Sequence, residues 1–259
     1  MDAPAATPTT VKYNSWLPYS AVFLADIKHT LQSWIYRLWA FLAVGATSGF
    51  LLYRIGAKRE GGMVQPAPEL LNDLITWIIW GSVTLIIVLT ANAICGERGT
   101  LADSILSRGI SRHQYFLGKW HARLVVILGT FFVLTLLAIA AANLMLHGET
   151  LSMSGAFVAM AVVGSLLAMI VSCGVTVSAL ANTTVVAITL LWMALYGVGF
   201  LLSLLPVQYP SPDRALQSLP NVLKGAYDWH HASRLIAGAL SVSLLMGIVG
   251  MIGFSRKDV

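Results

Sequence analysis

The chain has 259 residues, of which 57% are hydrophobic and only 10% are charged, and its mean hydropathy is +0.77. A soluble domain of this size carries about 25% charged residues, so most of the surface must face lipid. The formal net charge of +5 does not indicate nucleic-acid binding because most of it flanks apolar segments, and two cysteines give no disulfide framework or metal site.

The first predicted element is an amphipathic helix over residues 14–30. One apolar stripe recurs at helical spacing, formed by Tyr19, Phe23, Ile27 and Leu31. Asp26, Lys28 and His29 lie elsewhere on the helix surface. This pattern is typical of a helix that lies in the membrane interface, and the alternative is a plain extension of the first membrane span.

Six apolar segments are predicted to cross the membrane, at residues 38–53, 74–95, 124–146, 155–179, 185–205 and 235–254. The first is short, so we expect Arg37 and Arg54 to reach outward from its two ends. The uncharged stretch 151–212 is too long for one helix, and Asn182, Thr183 and Thr184 form the polar turn that divides it.

An even number of spans places both termini on the same side of the membrane. With the termini in the cytoplasm, the inner segments hold ten of the sixteen Lys and Arg residues and the outer segments hold six. We therefore predict a multi-pass protein of the cell inner (plasma) membrane with both termini cytoplasmic.

The predicted spans lack the groups that ion coupling or redox chemistry would need. No carboxylate or lysine lies deep in a span, and all six histidines fall at span ends or in loops. The sequence contains neither an HExxH zinc motif nor a GxxxxGK[ST] phosphate-binding loop. We therefore expect no enzyme activity, no metal and no cofactor in this chain, and energy would have to come from a partner.

Residues 94–123 form the one long charged stretch and carry five of the sixteen Lys and Arg residues. Thr100 and Asp103 predict a capped short helix that ends before Gly109. Ser111 and Gln114 predict the cap of a second helix, which runs on into the third span. Two capped helices indicate a structured docking surface rather than an ordinary solvated loop.

These residues resemble the signature of ABC-2 type permeases, the membrane subunits of type V ABC exporters. The resemblance rests on Glu97-Arg98-Gly99-Thr100-Leu101, Ile105-Leu106-Ser107, Ile110-Ser111-Arg112 and Leu117-Gly118-Lys119, and on the C-terminal ending Phe254-Ser255-Arg256-Lys257-Asp258-Val259. Gly109 stands where the family often has proline, and the spacing from Glu97 to Gly99 is one residue tighter than usual.

The resemblance implies an all-α polytopic membrane protein with a single domain over residues 1–259. Its parts would be six transmembrane helices, an interfacial elbow helix at 14–30, a cytoplasmic coupling loop at 96–119 and an extracytoplasmic segment at 206–231. The residues that would couple to a separate ATPase are Glu97, Gly99, Thr100, Leu101, Asp103, Ile105, Leu106, Arg108, Ser111 and Arg112. Two copies of that ATPase subunit would bind the ATP, and two permease subunits would form a homodimer.

Two further segments carry predictions about cargo and partners. The proline-containing segment 206–231 is expected to form short helices at 213–218 and 221–227, where an accessory periplasmic protein could bind. By the same resemblance, the cargo path would be lined by Trp77, Trp80, Trp192 and Tyr196, although aromatics in spans more commonly face lipid. An uncharged path favours a hydrophobic or amphipathic cargo.

Three functions remain open at this point. The first is the membrane half of an ABC exporter. The second is an ABC-type mechanotransmission or cofactor-assembly subunit that acts on a periplasmic partner. The third, a structural or redox membrane anchor, is disfavoured by the positions of the histidines.

Overall fold

The computed structural model describes residues 16–59, 67–97, 110–145, 152–204 and 212–256, and every regular element in these ranges is an α-helix. In chain order the helices are α1 (Leu17–Gln32), α2 (Trp34–Arg59), α3 (Ala67–Cys95), α4 (Arg112–Met145), α5 (Met153–Leu180), α6 (Thr184–Ser203), α7 (Pro212–Leu223) and α8 (Trp229–Arg256). The predicted all-α class is confirmed for this part of the chain.

Five of the described helices are long and apolar enough to cross a membrane, namely α3, α4, α5, α6 and α8. They contain the predicted spans two to six, except that the third and fifth spans were predicted to end one and two residues later. Helix α2 is 26 residues long and contains the predicted first span, but it is not among the five. The count of six spans therefore stays a prediction.

Helix α1 is separated from α2 by a single extended residue. Pro18 lies in its first turn, a position where a missing backbone N–H costs nothing. Ser33 has φ −62° and ψ 138°, which ends α1 and lets α2 leave in a new direction. The predicted helix at 14–30 is thus seen as a helix distinct from the next one, two residues longer at its C-terminal end.

The inner face of α1 differs from the predicted apolar stripe. Its buried residues are Val22, Asp26 and Thr30, whereas Leu31 is 42% exposed. The sequence pattern placed Asp26 outside the apolar stripe and did not predict that it is buried. The reason is that α4 supplies two cations at this contact, which a pattern of apolar residues alone does not reveal.

Helix α5 is the central helix of the bundle and packs against α3, α4 and α8. Its small residues allow this close packing: a Cβ atom on Gly164 would lie 2.9 Å from the ring of Phe132. Ser172 accepts a hydrogen bond from Trp120 Nε1 at 2.8 Å and shares another with Ser243 at 2.7 Å. These hydroxyls satisfy one another inside a bundle that offers no water.

The predicted polar turn between the fourth and fifth spans is confirmed. Helix α5 ends at Leu180 and α6 begins at Thr184, with bends at Asn182 and Thr183 between them. Thr183 Oγ1 accepts a hydrogen bond from the backbone N–H of Val186, which satisfies one free donor in the first turn of α6.

The prediction of two short helices in the segment 206–231 is wrong. A single helix, α7, runs through Pro220 without a break. A proline inside a helix costs roughly 3 kcal/mol or more. Leu219 and Leu223 on either side of it are each 1% exposed within the main core, so their burial offsets that cost.

Candidate functional site

The predicted coupling residues are only partly described by the structure. Glu97 follows α3, and Ser111 and Arg112 stand at the start of α4. The other predicted coupling residues lie outside the described residues: Gly99, Thr100, Leu101, Asp103, Ile105, Leu106 and Arg108. The structure therefore describes the residues on both sides of the predicted coupling helix but not the helix itself.

The predicted cap at the start of α4 is confirmed. The backbone N–H of Gln114 donates to Ser111 Oγ at 3.2 Å, and the backbone N–H of Ser111 donates to Gln114 Oε1 at 3.2 Å. This reciprocal pair is a capping box. Because it fixes where α4 begins, it also fixes the point at which the segment 98–109 joins the bundle.

Two carboxylates and two cations meet where α1 packs against α4. Lys119 Nζ lies 2.9 Å from Asp26 Oδ1 and also donates to Glu97 Oε1. Arg123 Nη2 lies 3.2 Å from Asp26 Oδ1, and its Nε lies 3.0 Å from Oδ2. Tyr115 completes the group by donating its hydroxyl to Glu97 Oε2 at 2.7 Å. We call Asp26, Glu97, Tyr115, Lys119 and Arg123 the charge cluster.

The charge cluster is buried and electrically balanced. The side chains of Asp26, Lys119 and Arg123 are 1%, 5% and 5% exposed. Removing an ion from water costs several kcal/mol, which these groups offset only by pairing with one another. Their two negative and two positive charges sum to zero, so the bundle carries no net charge at this contact.

Glu97 is the most exposed carboxylate of the charge cluster and lies at its edge, next to the segment 98–109. Burial raises the pKa of this carboxyl, but the nearby positive charge of Lys119 and the hydrogen bonds from Lys119 and Tyr115 outweigh burial. The net effect is a pKa below the ordinary value of a glutamate. Glu97 is therefore held as a carboxylate, which suits an anchor for the end of α3.

The last turn of α8 rests on the first turn of α4. The ring of Tyr115 stacks on that of Phe254, with 5.9 Å between centroids, and Phe116 lies 6.4 Å from the same ring. Arg112 Nη1 donates to the backbone carbonyl of Ser255 at 3.3 Å. Four helices, α1, α3, α4 and α8, thus meet beside the two ends of the segment 98–109.

Sequence reasoning predicted Glu97 but missed the rest of the charge cluster. Asp26 was placed only outside the apolar stripe of its helix, Lys119 was noted as part of the family motif, and Arg123 was counted as an inner-side charge. One signal was available. Lys119 and Arg123 are four residues apart and so share a face of α4, and Asp26 is the only acidic residue between positions 16 and 59.

The four aromatics of the predicted cargo path lie on two neighbouring helices. Trp77 on α3 is 72% exposed, and on α6 the half-buried Trp192 stacks on Tyr196 with 5.2 Å between ring centroids. Trp80 belongs to α3, and its side chain lies outside what the structure describes. Helices α3 and α6 contact each other, and the only contact recorded between these aromatics in the described residues is the stacking of Trp192 on Tyr196.

Comparison with known families agrees with the helical fold and with the family resemblance seen in the sequence. None of the curated proteins matches the chain. The family described as ABC-2 family transporter protein matches residues 17–254, which includes all eight helices almost to the end of α8. The apolar helices and this match identify the chain as a multi-pass membrane protein, and it belongs to the ABC-2 transporter family.

Proposed function

We propose that the chain is the membrane permease subunit of an ABC exporter and is driven by a separate ATPase that docks on the segment 98–109. The charge cluster is the observation that carries this proposal. It holds Glu97, at one end of the segment, against the helix that begins at the other end, after Ser111. A segment whose two flanking ends are anchored in this way is suited to pass movement into the bundle.

In this mechanism, movement of the segment would shift α3 and α4 together. Lys119 joins Glu97 to Asp26, so α1 would follow, and the contacts of Phe254 and Ser255 would add α8. No nucleotide site is needed in the chain itself, because the ATPase subunits would bind and hydrolyse the ATP.

A second permease subunit would cover the exposed face of α3. Four residues on that face are exposed at helical spacing: Trp77, Gly81, Thr84 and Asn92. Polar groups within a span normally face protein or a water-filled path rather than lipid. Helix α6 borders this face and has only Ala187 and Leu191 buried among its described side chains. A homodimer, with two ATPase copies, would place the predicted aromatics between the subunits.

The remaining features of the proposal follow from the sequence. Helix α2 would supply the sixth span, both termini would be cytoplasmic, and the protein would lie in the cell inner membrane. The lack of charged residues in the predicted spans 74–95 and 185–205 favours a hydrophobic or amphipathic cargo. The single domain would extend over residues 1–259, with α1 as the elbow helix.

Transport is favoured over action on a periplasmic partner because of how α7 is packed. Leu219 and Leu223 fix α7 to the bundle, and the backbone N–H of Ser152 donates to the Leu223 carbonyl at 3.0 Å. An outer element that transmits force would have to move against these contacts. A periplasmic partner could still rest on the exposed side of α7.

Co-purification with the ATPase tests the docking site. Leu101→Asp with Leu106→Asp should abolish capture of the ATPase by the tagged permease, because both leucines are apolar residues of the predicted coupling helix. The control is Met153→Asp, an apolar residue 55% exposed at the opposite end of the bundle. Full capture and normal ATPase activity with the double variant would exclude docking on this segment.

Disulfide cross-linking tests the dimer independently. A cysteine introduced as Thr84→Cys should form a cross-linked dimer in membranes, whereas Leu245→Cys on the exposed face of α8 should not. Cross-linking at position 245 and not at position 84 would place the second subunit on another face.

A further inference from the structure

The outer face of α1 combines apolar residues with a single cation. Leu17, Leu24 and Leu31 are 66%, 63% and 42% exposed and repeat every seven residues, so they form one line along the helix. Lys28 lies on the same line, four residues after Leu24, and is also exposed. Trp34, 74% exposed, follows directly after α1 in the first turn of α2.

The charged side chains exposed on this surface are all positive. Successive residues of a helix are about 100° apart, so Asp26 and Lys28 point to opposite sides of α1. Asp26 is the only acidic residue between positions 16 and 59, and it forms salt bridges with Lys119 and Arg123 in the charge cluster. Exposed Lys28 and Arg37 form no ion pair with any described residue.

We propose that α1 and the first turn of α2 bind the headgroups of anionic phospholipids through Lys28 and Arg37. The leucine line would enter the boundary between headgroups and acyl chains, and the two cations would lie at phosphate level. An exposed tryptophan at the junction fits the same depth, where indole rings are enriched. The inference requires that the chain lies in a membrane, and it does not depend on docking of an ATPase.

A lipid surface fits better than a protein partner because of how the groups are arranged. A groove on an acidic protein would match the cations, but it would leave three exposed leucines without an apolar partner. A zwitterionic bilayer would accept the leucines, but its headgroups carry no net negative charge to balance Lys28 and Arg37. An anionic bilayer surface satisfies both.

Lipid selectivity of the purified chain tests the proposal. The chain is equilibrated with mixed micelles that contain equal amounts of phosphatidylglycerol and phosphatidylcholine, and native mass spectrometry counts the bound lipids of each class. One cation near an anionic surface contributes on the order of fivefold to binding. Lys28→Gln with Arg37→Gln should therefore lower the preference for phosphatidylglycerol by up to roughly 25-fold at low ionic strength.

The matched control removes two cations at the opposite end of the bundle, as Lys224→Gln with Arg234→Gln. This variant should keep the preference, and Lys28→Arg with Arg37→Lys should keep it as well. An unchanged preference in the first double variant, or an equal loss in the control, would overturn the proposal. Loss of ATPase capture with unchanged lipid preference would also overturn it, since the surface would then belong to a protein partner.

Discussion

Asp26 is the side chain whose removal should destabilise the bundle most. In Asp26→Ala, Lys119 keeps Glu97 as a partner, but Arg123 loses the only carboxylate with which it forms a salt bridge in the described residues. At 3 Å and an effective dielectric constant of about 20, two unit charges attract by about 5.5 kcal/mol. Measured losses for breaking a buried pair are about 3–5 kcal/mol, and we expect the free energy of unfolding to fall by that amount.

The same reasoning predicts recovery when both charges are removed. Asp26→Leu with Arg123→Met replaces the pair by apolar groups, so no ion is left buried without a partner, and most of the lost stability should return. The assay is a denaturant titration in detergent micelles, followed by helix content, on Asp26→Ala, on the single variants Asp26→Leu and Arg123→Met, and on the double variant.

Asp228→Ala is the control for loss of a carboxylate that is not buried. Asp228 is exposed and accepts a hydrogen bond from the backbone N–H of His230 at 2.9 Å, so its loss should cost only about 1 kcal/mol. A loss below 1 kcal/mol for Asp26→Ala would refute the reasoning. So would a double variant that costs the sum of the two single changes.

Two other predictions concern packing and pH. Gly250→Ala should destabilise the fold by about 1–3 kcal/mol, because its Cβ would lie 2.6 Å from the ring of Phe116. The control is Gly238→Ala, which has nothing within 4 Å of its Cβ and should be neutral or stabilising. Equal shifts in the thermal unfolding temperature of the two variants would contradict this prediction. Because the pKa of Glu97 is lowered on folding, its stabilisation is present above the ordinary glutamate pKa of about 4.3 and is lost as pH falls through the lowered value. The stability difference between the natural chain and Glu97→Gln should shrink from pH 6 to pH 3, and a constant difference would be evidence against this role.

The elements that could be predicted from sequence are those fixed by local chemistry. Five of the predicted spans were found because a long apolar run has few other solutions than a buried or lipid-facing helix. The turn at Asn182 and Thr183 and the cap at Ser111 depend on side chains that bond to backbone groups within three residues. Such contacts join residues that are close together in the sequence.

The charge cluster could not be predicted in this way because its contacts join distant positions. Asp26 and Lys119 are 93 residues apart, and no periodic pattern relates α1 to α4. The unbroken helix through Pro220 was missed for a related reason, since its stability comes from the burial of Leu219 and Leu223 in the core rather than from the local sequence. The ATPase-coupling role of the segment 98–109 stays a prediction.

The charge cluster also limits which helices can move during transport in the proposed mechanism. If a pull on the segment 98–109 separated Glu97 from Lys119, two buried cations would be left with Asp26 as their only carboxylate in the charge cluster, so the ends of α3 and α4 should move as one body. Helices α1 and α8 are joined to the same body. Helix α6 is held mainly through Ala187 and Leu191, so it can shift against the others at a much smaller cost. The relative motion that opens a path should therefore occur between α6 and the rest of the bundle.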